Sequence, residues 1–388
     1  MMRRRFTIVL AAGGTGGHVI PAQAVAVELA RRGHTPILVT DPRGMRYKDM
    51  FAGIEVLELK VSPASGGIVT APLRFFKMIS AMMRAVAILQ RVRPSAVIGF
   101  GGYPSFPTGV AARALGIPVC LHEQNAVFGR TNRLLARFAA AVALSYPETA
   151  RLKKKLPAYV AVTGNPVRQA VTALRDHAYE PPQLDGPFNL LVIGGSQGAQ
   201  VLSDVVPAAL SALPPALQKR LKVVQQCRDE DMLRVRATYA AAGIGAYTAT
   251  FLNDLPQRLA MAHLVIARAG ASTITELAIA ARPSVLVPLP TATDDHQWAN
   301  AQELADAGGA WLIRQSDFTP AALAKIIQGV ARNPDRLQAA SNAARQLGRT
   351  DAAAAVADLT EQMVLAHGPV SAITLPTGRS VQPLGGAS

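Results

Sequence analysis

Cysteine, aromatic residues and long apolar runs are all scarce in this sequence. Only two of the 388 residues are cysteine, Cys120 and Cys227, which excludes a disulfide framework and is typical of a reducing cytoplasm. No apolar run reaches the roughly 18 residues that a membrane-spanning helix needs. Half of the residues are nevertheless apolar, which is ample for sizeable cores, and the length predicts two domains.

Acidic residues are scarce in the first half of the chain. Residues 1–166 hold 22 Lys and Arg against 7 Asp and Glu, whereas residues 167–388 hold 18 of each, so the whole net charge of +15 lies in the first half. The positive electrostatic potential that these residues create suits an anionic partner: nucleic acid, a phosphorylated substrate or the surface of a bilayer. No nucleic-acid-binding motif occurs among the basic positions, so the sequence indicates one of the other two.

Short apolar runs alternate with helix-like segments, which predicts an α/β fold with parallel sheets. The start "MMRRRFTIVLAA" imitates a signal peptide, but it runs directly into glycines and is predicted to be the first strand. "PFNLLVIGGSQGAQVLSDVVPAAL" begins the same strand, glycine turn and helix order again. We therefore predict two Rossmann-like domains whose parallel sheets face a deep interdomain cleft. The predicted segments are an N-terminal domain (1–166), a linker (167–187), a second domain (188–350), a helix returning to the first domain (351–366) and a disordered tail (367–388).

The glycine turns predict phosphate-binding sites. In "AAGGTGGH" (11–18), as in "GGSQGA", bare backbone precedes a helix, whose N–H groups and dipole favour an anion. Neither turn is a Walker loop, and Val19 occupies the third glycine position of the dinucleotide pattern. Asp41 ends the second strand and could bind a ribose, so a dinucleotide site stays open as an alternative.

Two further stretches carry polar residues where a helix is predicted to begin. In "ARAGASTITE" (267–276), small residues leave room for a diphosphate, although Thr273 and Glu276 also have the spacing of a capping box. In "DDHQWANA" (294–301), Asp294 and Asp295 are adjacent and make a poor chelate, so we predict helix-terminal charges and no metal site.

The motifs "GGTGGH", "GGYPS", "HEQN", "GNPVR", "GGSQGA", "ARAGASTITE" and "HQWANA" occur in this order over residues 6–365. Together they resemble the MurG family of peptidoglycan N-acetylglucosaminyltransferases, within glycosyltransferase family 28. The resemblance implies a GT-B fold and an inverting transfer of N-acetylglucosamine from its UDP ester to lipid I, giving lipid II, without a metal or other cofactor. It also implies attachment to the cytoplasmic face of the inner membrane, with anionic lipids and other cell-wall and division proteins as partners.

The resemblance implies roles for individual residues. The reaction site would be lined by Thr15, Gly16, Gly17 and Asn125. The donor diphosphate would be contacted by Arg168 and Ser196. Leu252 would hold the uracil through its backbone, and Gln297 would bind hydroxyls of the donor sugar. The phosphate and ribose would contact Ala271, Ser272, Thr273, Ile274, Thr275 and Glu276.

The attacking alcohol needs a base. His18 is the candidate because its ordinary pKa lies near neutral pH and because it sits where the first glycine turn meets the helix. Glu123, at a predicted strand end, is either a rival base or the group that supports His18. Helix capping is the structural alternative for His18.

The segment 71–93 is predicted to be an amphipathic helix, for which an ordinary packed helix with one solvent-exposed face is the structural alternative. The resemblance to the family, together with the basic first half, favours contact with the membrane. The apolar side chains of the helix stand among cations, an arrangement that suits an anionic bilayer surface. The residues assigned to this contact are Phe75, Phe76, Lys77, Met78, Met82 and Arg84.

Three other functions fit parts of the sequence. A UDP-N-acetylglucosamine 2-epimerase would share the architecture but leave the basic half without a purpose. A nicotinamide dehydrogenase would use Asp41 and the first turn but leave the second turn and Arg168 unexplained. A sugar-nucleotide sensor would bind the UDP-sugar without turnover.

Overall fold

The computed structural model describes residues 4–60, 71–153, 156, 158–195 and 198–367. The chain forms two compact units. Unit 1 comprises residues up to Arg168 together with the segment that begins at Asp351, and unit 2 comprises Gln169–Thr350. The tail predicted to be disordered falls, beyond residue 367, outside the described residues.

Unit 1 is built on a seven-stranded sheet in the order β3-β2-β1-β4-β5-β6-β7, and every pairing is parallel. The strands are β1 (Thr7–Ala11), β2 (Thr35–Thr40), β3 (Glu55–Glu58), β4 (Ala96–Gly99), β5 (Val119–Glu123), β6 (Ala141–Leu144) and β7 (Tyr159–Val162). The helices among them are α1 (Gly16–Arg31), α2 (Ala71–Val92), α3 (Ser105–Ala114) and α4 (Arg130–Leu135). The segment that imitates a signal peptide is thus β1, a strand at the centre of this sheet.

The apolar runs of unit 1 become central strands because both faces of the sheet are covered. Ile8 and Leu10 point into one buried cluster, and Val9 points into the other. Gly33, with φ of +88°, follows α1 and allows the chain to turn into β2.

Unit 2 is built on a six-stranded parallel sheet in the order β10-β9-β8-β11-β12-β13. Its strands are β8 (Phe188–Ile193), β9 (Leu221–Gln226), β10 (Gly245–Ala249), β11 (Leu264–Ala267), β12 (Ser284–Leu286) and β13 (Ala310–Leu312). Its helices are α5 (Gln169–Thr172), α6 (Gln200–Ser211), α7 (Pro215–Gln218), α8 (Met232–Ala241), α9 (Leu255–Met261), α10 (Ala271–Ile279), α11 (His296–Asp306), α12 (Pro320–Ala331) and α13 (Pro334–Leu347).

Most of the segment predicted to be a linker belongs to unit 2, which begins at Gln169. It contains α5, and Leu174 and Tyr179 are buried in the two apolar clusters of unit 2. Arg175 and Arg345 exchange hydrogen bonds with each other's backbone carbonyl groups, which fixes the start of unit 2 to the end of α13.

The last described helix, α14 (Ala352–His367), packs on α1 in unit 1. Val356 and Met363 are buried in the same cluster as β1. Arg32 pairs with Glu361 at 3.2 Å, and His34 Nε2 lies 2.9 Å from the same carboxylate. The C-terminal segment therefore completes the N-terminal unit.

Candidate active-site residues and their family

Three turns of unit 1 lie side by side, because they follow the adjacent strands β1, β4 and β5. Ser105 Oγ is 2.7 Å from both Ala11 O and Gly101 O, which joins the first two turns. A Cβ atom at Gly102 would lie 2.6 Å from Gly13 O, so the two turns approach at a distance that only glycine permits.

Asp41 stabilises the first glycine turn. Its fully buried carboxylate accepts hydrogen bonds from Gly14 N at 3.0 Å and Gly44 N at 2.8 Å, and its second oxygen pairs with Arg43 at 3.1 Å. These contacts use both oxygens for the protein's own structure. Asp41 therefore serves the structure of the turn, and the dinucleotide alternative loses its proposed ribose ligand.

His18 is held at the start of α1 by the turn that precedes it. Its Nδ1 lies 3.2 Å from Gly13 O, and because a carbonyl only accepts, Nδ1 carries the proton of this bond. The neutral ring then has its lone pair on Nε2. Glycine is required opposite the ring, because a Cβ atom at Gly101 would lie 3.0 Å from Nε2. In the same turn, Thr15 and His18 are half-buried, Gly16 is buried and Gly17 is exposed.

Glu123 is buried at the end of β5, and its hydrogen bonds lead to the loop that follows. One oxygen accepts from the N–H and the amide of Asn125, both at 3.1 Å. The other accepts from Gly129 N at 2.7 Å and Asn132 Nδ2 at 2.9 Å. Burial raises the pKa of Glu123, and these donors oppose the increase. This carboxylate therefore fixes the position of Asn125.

His122 is a buried neighbour of the site to which the sequence analysis gave no role. Its Nε2 donates to Gly164 O at 3.2 Å, and its Nδ1 accepts from Gln124 at 3.1 Å. Burial lowers the pKa of His122 to about 4, with repulsion from His18 adding to the effect. The signal in the sequence was its position, since it precedes Glu123 in a strand buried on both faces. His122 is thus a neutral residue whose hydrogen bond connects β5 to the segment after β7. Arg168 lies four residues further along that segment.

In unit 2, α10 begins at Ala271, directly after Gly270. Thr273 is therefore the third residue of the helix and not its N-cap, so the capping-box alternative for Thr273 and Glu276 is wrong. The N-cap residue, Gly270, has no side chain with which to cap the helix, and the first N–H groups of a helix lack partners within it. The stretch from Ala271 to Glu276 is the first turn and a half of a helix at the carboxyl edge of the sheet, where an anion would be favoured.

Helix α11, which follows the loop after β12, brings Gln297 and Asn300 to the same edge. Gln297 Oε1 accepts from Leu289 N at 2.9 Å, and the buried Asn300 lies 3.4 Å from Ala269 O in the turn before α10. Arg268 donates to Val287 O at 3.0 Å. These contacts connect the loops that follow β11 and β12.

The other predicted donor residues are placed as follows. Leu252 lies just beyond β10 with its side chain buried, so its backbone is the part that a base could contact. Arg168 is the last residue of the first segment of unit 1 and is half-buried. Ser196 lies outside the described residues. In the described part of the chain, no group of three or more His, Cys, Asp and Glu side chains is arranged to hold a metal ion.

Helix α2 presents one buried and one exposed stripe. Ala81, Ala85 and Leu89 are buried, whereas Phe76 is 67% and Met83 65% exposed. Lys77 and Arg84 are also exposed, Met78 and Met82 are half-buried, and the side chain of Phe75 lies outside the described residues. Among the helices that the structure describes, none is long and apolar enough to cross a bilayer.

Two Rossmann-like units with parallel sheets, each with glycine turns at its carboxyl edge, define the GT-B fold, so the predicted class of two parallel-sheet α/β domains is confirmed. Two family models match the sequence: the glycosyltransferase family 28 N-terminal domain over residues 8–144 and the glycosyltransferase family 28 C-terminal domain over residues 189–361. The chain therefore belongs to glycosyltransferase family 28, and the family resemblance drawn from the motifs is confirmed.

Individual relatives are similar over nearly the whole chain. The UDP-N-acetylglucosamine--N-acetylmuramyl-(pentapeptide) pyrophosphoryl-undecaprenol N-acetylglucosamine transferase of Zymomonas mobilis is 50% identical over 92% of both chains. The crystal structure of MurG from Acinetobacter baumannii is 35% identical, with a TM-score of 0.72 over 92% of this chain and 100% of that one. A UDP-N-acetylglucosamine 2-epimerase structure from Listeria monocytogenes, at 16% identity, a TM-score of 0.65 and coverage of 93% and 98%, shares the fold alone.

Proposed function

We propose that this protein transfers N-acetylglucosamine from UDP-N-acetylglucosamine to the 4-hydroxyl group of N-acetylmuramic acid in lipid I, which gives lipid II. The observation that carries the proposal is the 50% identity, over 92% of both chains, to a relative named for this reaction. The site residues agree with it, because unit 1 offers a histidine on a glycine turn and unit 2 offers a helix start with glycine at its N-cap for a diphosphate.

His18 is the base in this proposal. The attacking hydroxyl group loses its proton as the new bond forms, and a neutral imidazole accepts it on the nitrogen that carries the lone pair. The hydrogen bond from Nδ1 to Gly13 O assigns that lone pair to Nε2. Glu123 supports the site by holding Asn125 and the loop up to Asn132, a role that its four hydrogen bonds favour over that of the base itself.

UDP leaves with negative charge on its diphosphate. In this proposal Arg168, Ser196 and the start of α10 meet that charge, while Gln297 binds the sugar and Leu252 the uracil. Donors that are already oriented stabilise developing charge without reorganisation. The proposed reaction therefore uses protein groups where other glycosyltransferases use a divalent ion.

The test is UDP release from UDP-N-acetylglucosamine, with EDTA present, with and without a lipid I analogue. We expect release only with the analogue and at an undiminished rate in EDTA. If folded protein binds the UDP-sugar but shows no acceptor-dependent release, the transferase assignment fails. Acceptor-independent formation of the 2-epimer would then assign the epimerase reaction.

We also propose that the exposed stripe of α2 contacts the cytoplasmic face of the inner membrane. Phe76, Ile79 and Met83 recur at helical spacing on one side, with Lys77 and Arg84 exposed beside them. Apolar side chains enter the bilayer boundary while cations meet anionic headgroups. Such a contact would hold the enzyme where lipid I is anchored. The proposed contact extends to Met78 and Met82, and to Phe75, whose side chain lies outside the described residues.

Vesicle sedimentation tests the membrane contact. We expect the double variant Phe76→Ser/Met83→Ser to bind phosphatidylglycerol vesicles at least about tenfold more weakly than the unmodified protein, since burying each such side chain contributes about 1.5–3 kcal/mol. Leu134, which is 47% exposed on α4 of the same unit, gives the matched control Leu134→Ser. Equal loss in the double variant and the control would refute the assignment to α2.

A further inference from the structure

The segment before α11 contains two consecutive residues in the left-handed backbone region. Asp294 has φ of +59° and Asp295 has φ of +54°. Aspartate tolerates this region better than most residues, but glycine is the residue that adopts it without cost. Two such residues in a row persist only where the surrounding structure holds them.

Arg314 supplies that support from the other side of the loop. Its Nη1 lies 2.9 Å from Asp295 Oδ2, and its guanidinium group lies 3.7 Å from the centre of the Trp298 ring. The indole face orients the guanidinium plane while the carboxylate binds its edge. One arginine thus connects the strained residue to the first turn of α11.

The same turn of α11 carries Gln297. Its Oε1 accepts from Leu289 N at 2.9 Å, so the acceptor end of this amide is used at the start of the loop. The other end of the amide is the NH₂ group, which only donates. The conformation of residues 289–296 therefore decides both where Gln297 stands and which hydrogen-bonding group it offers.

We propose that Arg314 is a positioning residue for recognition of the donor sugar. It holds Asp295 in the left-handed conformation, and this keeps the amide of Gln297 turned so that its N–H groups face a sugar hydroxyl. The proposal rests on the proposed function, in which Gln297 binds the sugar of UDP-N-acetylglucosamine. It adds that selectivity for that sugar depends on a residue that does not touch it.

The sequence contains no signal for this arrangement. Arg314 and Asp295 are 19 positions apart, and Asp294 and Asp295 were interpreted from the sequence as helix-terminal charges. The structure assigns the second of them to an ion pair across the loop.

The experiment compares Arg314→Ala with Arg336→Ala. Arg336 is also exposed and also stacks on a tryptophan, Trp311, at 6.0 Å, but it lies on α13. We expect Arg314→Ala to weaken binding of UDP-N-acetylglucosamine about tenfold, to leave UDP binding within twofold, and to reduce discrimination against the 4-epimer, UDP-N-acetylgalactosamine. Arg336→Ala should change none of the three. Equal weakening of UDP and UDP-sugar binding would show a merely structural role and overturn the proposal.

A second substitution separates the backbone effect from loss of charge. Glycine adopts the conformation of residue 295 without strain, so Arg314→Ala/Asp295→Gly should recover most of the lost discrimination between the two UDP-sugars. If the double variant is no better than Arg314→Ala, the arginine does not act through the backbone at residue 295 and the proposal is wrong.

Hydrogen exchange of the 289–297 backbone tests the same idea without any ligand. We expect faster exchange in Arg314→Ala, unchanged exchange in Arg336→Ala, and recovery in Arg314→Ala/Asp295→Gly. Unchanged exchange in Arg314→Ala would overturn the proposal. This measurement keeps it distinct from the proposed function, because a protein that failed to bind any UDP-sugar would still show whether Arg314 holds the loop.

Discussion

Replacing Gly101 with alanine should displace the proposed base. Gly101 has φ of +91°, and a Cβ atom there would lie 2.9 Å from Cδ2 and 3.0 Å from Nε2 of His18. Ordinary contacts between carbon atoms lie near 3.5–4.0 Å. The imidazole ring would therefore have to retreat by roughly 0.5–1 Å, while its Nδ1 is tied to Gly13 O.

Gly33 offers a matched control in the same unit. Its φ is +88°, and no atom lies within 4 Å of a Cβ built there, so Gly33→Ala carries the backbone strain alone. That strain is about 1–2 kcal/mol for a residue with a side chain. Gly101→Ala carries the same strain and, in addition, the contact with His18.

The two variants should therefore differ in turnover more than in stability. A misplacement of about 1 Å can cost on the order of 100-fold in rate, so we expect Gly101→Ala to lower kcat about 10- to 100-fold and Gly33→Ala to leave it within about twofold. Turnover is measured as UDP release with a lipid I analogue, and the free energy of unfolding by urea titration. If the two variants show equal kcat, His18 does not act as the base in the position described.

The remaining predictions concern three side chains of unit 1. His18→Ala should lower kcat by about 10²–10⁴-fold with UDP-sugar binding retained, and near-normal turnover would refute the base assignment. Asp41→Ala leaves the buried N–H of Gly14 without its acceptor, whereas Gly44 N keeps the backbone carbonyl of residue 41 at 2.9 Å, so the free energy of unfolding should fall by about 1–3 kcal/mol in Asp41→Ala and by less in Asp41→Asn, as measured by urea titration. His122, with its pKa lowered to about 4, contributes stability that is complete above pH 6.5 and is lost as the pH falls towards 4. Urea titrations should show that the free energy of unfolding falls between pH 6.5 and pH 4, with about 3 kcal/mol of the fall due to His122. The fall should be smaller in His122→Gln, and an equal fall in that variant would refute this role of His122.

Much of the molecule follows directly from its sequence. Alternation of apolar runs with helical segments predicts two parallel α/β units, because strands buried on both faces must be apolar throughout. The glycine turns are visible for a similar reason, since positive φ and close backbone approach demand glycine, as at Gly14 and Gly102. The order of the motifs was enough to identify the family.

Tertiary structure decided what individual polar residues do. Asp41 looks like a ribose ligand at a strand end, but folding places the N–H groups of Gly14 and Gly44 on its carboxylate. Thr273 has the spacing of an N-cap, but β11 ends early enough for the helix to begin at Ala271. A side chain's chemistry is fixed by its type, whereas its partners are brought to it by distant parts of the chain. Local spacing therefore revealed where the turns are, and only the fold revealed which side chains serve the structure and which remain for the substrates.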